Sequence, residues 1–183
     1  IDFPGLASGV YYYAPAGNAL TQLREGDFRG NLAAAADDDS LATVLATIVS
    51  TAVFWRSAWK YRTRGYRYCF WDNGTVFANL LATANSLGQQ ARLLTGFVDR
   101  DVDQILGVES EQEASSCLVP LGAAGELRPY VARALSAIDS GDLGFSEAIT
   151  YPESDLLHAE ARLDSPQQVS DWRGHVHRFE EIR

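Results

Sequence analysis

Methionine is absent from the 183 residues, and of the 15 basic residues only one, Lys60, is a lysine. A chain without methionine does not begin at its own start codon, so we expect a fragment or a processed piece of a longer chain. The opening Ile1-Asp2-Phe3-Pro4 resembles neither a signal peptide nor a targeting segment. Cysteine is nearly as scarce. Cys69 and Cys117 cannot build a disulfide framework, and no Cys/His spacing resembles a zinc site, so the expectation is no metal and two free, buried thiols in a reducing cytoplasm. Positive charge is deficient overall: the formal net charge of −9 excludes nucleic acid as the main partner, because phosphate binding needs a basic face. Long apolar runs are missing too. The most apolar stretch, residues 41–55, is interrupted by Thr43, Thr47, Ser50 and Thr51 and falls short of the roughly 18 residues that span a bilayer, so no membrane segment is expected. The lone lysine has a chemical meaning. Arginine keeps its proton near neutral pH, whereas a lysine whose pKa is lowered can act as a base. An arginine-rich composition also makes lysine rare by itself.

What is present is ordinary globular material: 46% hydrophobic and 21% charged residues, in a length that suits one domain with a real core. Residues 9–14 (GVYYYA) read as a strand, 15–18 as a turn, and 19–24 as the returning arm of a hairpin. Residues 27–36 read as an alanine-rich helix capped by Asp27 or Gly26, followed by a solvated break at 37–40. Residues 41–55 read as a buried strand, central in its sheet, and 56–64 as a short helix or loop. From 66 to 87, Cys69, Phe70, Val76, Phe77, Leu80, Leu81, Ala84 and Leu87 recur at helical spacing and Gly88 ends the helix. Short strands are expected at 91–94 and 115–121, a short helix at 99–106 ended by Gly107, and a helix at 129–138. Residues 140–183 read as an extension or linker with a late helix near 165–172. The order implies an α+β domain, helices packed on a mainly antiparallel or mixed sheet, with a first unit at 1–138 and an extension at 139–183.

Several blocks resemble a known family. Residues 52–68 (AVFWRSAWKYRTRGYRY), 72–88 (DNGTVFANLLATANSLG) and 94–108 (LTGFVDRDVDQILGV), together with the opening hairpin, are similar to FMN-dependent nitroreductase-fold proteins. The branch they resemble is that of the azoline dehydrogenases, the SagB-type or thiazole/oxazole oxidase proteins. The similarity runs from about residue 9 to 122, and the tail from 151 is similar to a connector that leads into a second domain in tandem members. The resemblance implies a nitroreductase-like fold of which the N-terminal part is not in this chain. The arginines that hold the FMN phosphate belong to that earlier helix. Thr75 stands where many relatives carry a histidine, and Gly88-Gln89-Gln90 where they end the helix with Gly-Leu-Gly.

In this branch a Lys-Tyr pair is held to act in azoline oxidation, and it stands here as Lys60-Tyr61. Making an azole from an azoline removes a hydride, which a flavin can accept, and a proton, which a desolvated lysine or tyrosinate can take. Thr95, Gly96 and Phe97 are the cofactor-binding residues the resemblance implies, with a backbone N–H on the flavin edge and glycine permitting close approach. The implied function is oxidation of thiazoline or oxazoline rings in a peptide natural-product pathway, in the cytoplasm, on a peptide or small heterocyclic substrate. FMN would sit at the interface of a homodimer, a pseudo-dimer or a partner chain supplying the earlier segment. Two alternatives stay open: another flavin oxidoreductase acting on nitro, quinone or biosynthetic substrates, and a non-catalytic partner subunit without flavin. Arg62, Arg64 and Arg67 read as a solvated basic loop, and Asp72 and Asn79 as ties to neighbouring backbone. His158, His175 and His177 lie in the tail and form no recognisable metal spacing.

Overall fold

The computed structural model describes residues 5–123, 125, 130–136, 138 and 151–176. The chain opens with an antiparallel hairpin, β1 (Gly9–Ala14) and β2 (Ala19–Glu25), registered from Gly9↔Glu25 to Ala14↔Ala19 with one irregularity at Val10/Tyr11. Asn18 adopts φ 46° in the turn, a conformation asparagine tolerates. The hairpin exposes Tyr12, Tyr13, Leu20 and Leu23, and it is anchored through Arg24. That guanidinium is buried and donates to the backbone oxygens of Gln104, Ile105 and Ser136 at 3.2, 3.2 and 2.5 Å. Gln104 and Ile105 belong to the last turn of α4 (Asp99–Leu106), whose carbonyls have no partners inside the helix. Arg24 thus satisfies a helix terminus and fixes the hairpin to it.

The helix α1 (Arg29–Ala36) starts two residues later than the sequence pattern suggests. Asp27 is still its organiser, accepting the Arg29 N–H at 3.0 Å and the Arg29 guanidinium at 2.7 Å. A 3-10 turn (Asp39–Ala42) follows and places Leu41 in the core. The long strand expected over 41–55 is shorter, β3 (Ala46–Ala52), because the 3-10 turn takes its beginning and α2 (Trp55–Tyr61) its end. The central position belongs instead to β4 (Ala114–Leu121), buried throughout except at half-buried Ser116 and Leu121. It pairs antiparallel with β3 on one side, while Ala91 and Leu94 bridge to Leu121 and Leu118 on the other. Contrary to the expected burial, β3 is the less buried partner: Ala52 alone is buried, and Ile48 is exposed.

The long helix α3 (Arg64–Ser86) packs along a narrower line than its apolar stripe suggests. Gly65, Tyr66, Phe77 and Ala84 are buried, while Phe70, Val76 and the following Leu87 are exposed. Asn73 fastens it to the sheet, donating to the Ser116 hydroxyl at 2.9 Å and accepting from the Ser50 hydroxyl at 3.2 Å. Asn79 bonds only within its own helix, at the Thr75 carbonyl. Gly88 and Gly107, with φ 68° and 75°, close α3 and α4 as expected. Residues 130–136 and 138 are not helical; 129 and 137 lie outside the described residues. Their backbone is taken by side chains: Asn31 exchanges two hydrogen bonds with Arg133, and Arg24 takes the Ser136 carbonyl.

The tail forms α5 (Pro152–Ala161) and α6 (Pro166–Val176), and both dock. Val169 is fully buried in the main core with Leu32, Phe97, Val102 and Leu118. Arg173 donates to the carbonyls of Ala36, Asp37 (3.0 Å) and Gly96 (3.2 Å), completing the end of α1. The architecture is the expected α+β one, with antiparallel pairing in both small sheets. No described helix is long and apolar enough to cross a membrane.

One buried carboxylate joins α4, the following turn and β4: Asp103 accepts from the Ser115 N–H at 2.8 Å and the Ser110 hydroxyl at 2.7 Å. Replacing Asp103 with alanine should cost about 2–4 kcal/mol of stability, since hydrogen bonds to charged groups contribute ~1.5–3 kcal/mol each and their donors stay buried. Urea unfolding should show this drop with an unchanged slope, whereas Asp72→Ala on the exposed face of α3 should stay within about 0.5 kcal/mol.

Candidate functional site

In place of the strand expected at 91–94 the structure has two isolated bridges, at Ala91 and Leu94, and the turn from there to α4 is pinned at both ends. Leu94 exchanges two 2.9 Å hydrogen bonds with Leu118, and Val98 donates to the Ala35 carbonyl at 2.8 Å. Between them, no described residue accepts a hydrogen bond from the N–H of Thr95, Gly96 or Phe97. Gly96 and Phe97 are buried residues. Buried, unpaired backbone donors are rare because each forgoes a bond it made to water. Gly96 is also tightly covered. A Cβ at this position would lie 2.7 and 2.8 Å from two ring carbons of Trp172 in α6. Within this chain the missing side chain admits an indole.

A cavity of about 200 Å³ lies against this turn. Thr95, Phe97, Asp99, Ser115, His158 and Trp172 line it, with Phe54, Tyr66 and Phe70 as an aromatic wall. A second cavity, of about 370 Å³, shares Phe54, Tyr66 and His158 and is bounded by Trp55, the turn at Ser110 and Glu111, and α5 with Asp155 and Arg162. The shared wall is a compact ring cluster. Phe54 lies 5.0 Å from Tyr66 and 4.9 Å from His158, and Tyr66 lies 5.1 Å from Phe70, centroid to centroid.

Burial shapes the titratable groups here. It pushes the Asp99 carboxyl up to about 6, with the Asp103 charge adding to it, although the Leu163 N–H and Arg162 favour the carboxylate. Burial, reinforced by Arg162, lowers the pKa of His158 and leaves a neutral imidazole near pH 7, against smaller opposing effects of Asp103, the Ser110 backbone and Asp155. Tyr66 is raised by burial and by Asp99. Among the described residues neither His158 Nε2 nor Ser115 Oγ has a hydrogen-bond partner.

Thr95, Gly96 and Phe97 therefore form one turn, and Thr95 and Phe97 face a cavity. Lys60 and Tyr61 do not join them. Lys60 is exposed on α2 with its Nζ 5.0 Å from the Tyr61 ring centre, and Tyr61 meets Tyr68 edge to face at 4.7 Å. The pair lines neither cavity and belongs to an exposed aromatic surface with Trp59 and Trp71. Arg62, Arg64 and Arg67 are exposed, as the sequence implies. His158, Asp99 and Ser115 carry no signal in the sequence that marks them as cavity residues. His158 is one histidine in a polar tail, and its position depends on α5 folding back. His175 is exposed, and His177 lies outside the described residues.

Residues 11–123 match the nitroreductase family. Two curated proteins are similar: MJ1384 of Methanocaldococcus jannaschii, named as a nitroreductase, 28% identical over 66% of this chain, and the microcin B17-processing protein McbC of Escherichia coli, 24% identical over 58%. This chain spans 60% and 40% of those two proteins. A crystal structure named as a nitroreductase from Anabaena variabilis superimposes with a TM-score of 0.71 at 25% identity, covering 89% of this chain and 34% of that one. The E. coli microcin synthetase McbBCD complex, solved with truncated pro-MccB17 bound, gives 0.59 at 22% identity, covering 66% and 46%, and supports the fold alone.

Two outcomes follow from the site's packing. Gly96→Ala should destabilise the chain by about 1–3 kcal/mol through overpacking against Trp172, and most of that loss should vanish in a Trp172→Ala background. Double-mutant denaturation checks it. Asp99 binds its proton more tightly folded than unfolded, so its contribution is present below about pH 4 and is lost as pH rises through about 6. His158 acts in the opposite sense, so the readout is the difference between wild type and Asp99→Asn. That difference should move against the wild type from pH 4 to 7.

Proposed function

The chain belongs to the nitroreductase family, and we propose that it serves as an FMN-dependent oxidoreductase of the azoline dehydrogenase type, oxidising thiazoline or oxazoline rings in a peptide natural-product pathway in the cytoplasm. The observation that carries this reading is the pinned turn at Thr95, Gly96 and Phe97, whose three N–H groups find no acceptor among the described residues. Donors fixed before the reaction stabilise charge that develops on an electron-rich ring without reorganising, as an oxyanion hole does. Similarity to a protein named for microcin B17 processing supports the peptide pathway.

The residues present fit part of an FMN. The turn suits one ring edge. The cavity behind it is smaller than the ~300–1,000 Å³ of ordinary ligand sites, so the three fused rings would meet the turn on the exposed Thr95 side. The phosphate would then be held by a second copy or a partner chain. When bound, the flavin supplies a hydride acceptor. This chain's part is to present the N–H groups, to take the ring proton on Lys60, and to orient that amine with Tyr61. Because Lys60 and Tyr61 face outward, they act in a cavity that a second chain completes. A second reading, a partner subunit without flavin, draws support from Trp172 lying on Gly96.

The complete assembly should be yellow and release FMN on heating; a colourless assembly favours the partner-subunit reading. In that assembly Lys60→Ala should slow single-turnover flavin reduction by a thiazoline substrate by about 10²–10⁴-fold with flavin still bound. Lys60→Arg should do nearly as badly, because guanidinium does not release its proton. A near wild-type rate in Lys60→Ala would remove the catalytic role.

A further inference from the structure

Four described arginines are buried or half-buried: Arg24, Arg29, Arg162 and Arg173. Three of them donate to oxygens of this chain. Arg24 takes the backbone at 104, 105 and 136, Arg29 takes Asp27 and the Val44 carbonyl, and Arg173 takes the end of α1. The Arg162 guanidinium alone finds no acceptor among the described residues. A half-buried guanidinium gives up part of its hydration, and five donors without an acceptor leave that loss uncompensated.

Arg162 lines the larger of the two cavities, about 370 Å³, which lies between α5 and residues 54–66. That volume falls within the ~300–1,000 Å³ of ordinary ligand sites. One face of α5 forms the wall: Tyr151, Ser154, Asp155, His158, Ala159 and Arg162 recur at steps of three and four. Yet α5 buries none of its residues. The Ser154 hydroxyl reaches the Thr63 carbonyl at 3.3 Å, and the His158 ring lies 4.9 Å from that of Phe54. These contacts hold the helix at a distance, and the small Ala58 and Ala159 leave room in the gap.

The charges around the gap are of both signs. Asp155 and Glu111 are exposed residues that line it with Arg162, and no ion pair joins them. Burial is the main cause that lowers the His158 pKa; Arg162 lowers it further and Asp155 raises it, so both charges act on one ring of the wall. Phe54, Trp55 and Tyr66 supply flat apolar surface. A simple anion would meet two carboxylates here, and a simple cation would meet the guanidinium. A molecule with an anionic and a cationic group beside one flat apolar group suits all three features. We infer that this cavity binds an aromatic α-amino acid, with its carboxylate on Arg162, its ammonium on Asp155 and its ring against Phe54, Trp55 and Tyr66. The site is independent of the dehydrogenase reading, because neither a cofactor nor the turn at 95–97 enters it.

The probe is L-phenylalanine, titrated calorimetrically near neutral pH into the whole 183-residue chain. Saturable binding with a Kd of about 1 mM or below is expected, ordinary for so small a ligand. Three truncated ligands should each bind at least about tenfold more weakly, because each lacks one group: 3-phenylpropanoate the ammonium, 2-phenylethylamine the carboxylate and L-alanine the ring. Arg162→Gln should weaken phenylalanine at least about tenfold and should not weaken 2-phenylethylamine, which has no carboxylate to lose. Asp155→Asn should weaken phenylalanine and spare 3-phenylpropanoate in the same way. Arg100→Gln, an exposed change on α4, should leave both affinities as they are. The site is overturned if phenylalanine does not saturate the wild type, if the truncated ligands bind as well, or if Arg162→Gln binds phenylalanine as tightly. An equal loss for phenylalanine and 2-phenylethylamine in Arg162→Gln would mark a structural role and remove Arg162 from the carboxylate. The wild-type ligand series decides the matter even if a variant does not fold.

Discussion

The fold turns on how β4 distributes its hydrogen bonds. One edge pairs with β3 over seven residues, and among the described residues the other is bridged only at Ala91 and Leu94, after which the backbone leaves the sheet. Leu94 is held by Leu118, and four residues later Val98 is held by Ala35. The three residues between are too few to form another element and too closely pinned to turn their N–H groups toward either neighbour. A short stretch of backbone whose N–H groups no described residue accepts is therefore a consequence of topology.

The rest of the described structure holds this stretch from three directions. Arg24 ties the hairpin to the end of α4, Asp103 ties α4 to the start of β4, and Arg173 ties α6 to the end of α1 and to the Gly96 carbonyl. In each case a charged side chain satisfies backbone groups left over at the end of an element, which is where such groups accumulate. The docked tail also closes the site. Trp172 and His158 reach it only because α5 and α6 fold back over the turn, with Val169 sealing the joint in the core.

These long-range fasteners mark the boundary of what the sequence reveals. The hairpin, α1, and the glycine stops at Gly88 and Gly107 were legible because turn and cap chemistry is local. The centrality of β4 was not, since residues 41–55 look as buried by composition as 115–121. What separates them is pairing: β4 is bridged on both edges, by β3 and by Ala91 and Leu94. Arg24 and Arg173 find their acceptors about 80 to 137 residues away, a separation at which no periodicity speaks. The site divides in the same way. Residues 95–97 were visible through resemblance, because glycine after a strand marks close approach. His158 and Ser115 were invisible, because their meeting depends on the tail's fold.

The separation of Lys60 and Tyr61 from the turn has a structural logic. A proton acceptor and a hydride acceptor must meet the same ring from different sides, and a single small domain can present only one wall of such a site. Here Gly96 and Phe97 are buried beneath α6 and only Thr95 reaches the surface, while Lys60, Tyr61, Tyr68 and Trp71 form an outward aromatic surface on α2 and α3. Exposed aromatic rings with an amine among them are costly on a free surface and are useful as one half of an interface. In that arrangement the outward surface of one chain would close over the turn of another. Under the dehydrogenase role proposed above, the exposed faces of α2 and α3 and the N–H groups at 95–97 would be two halves of one site, divided between chains.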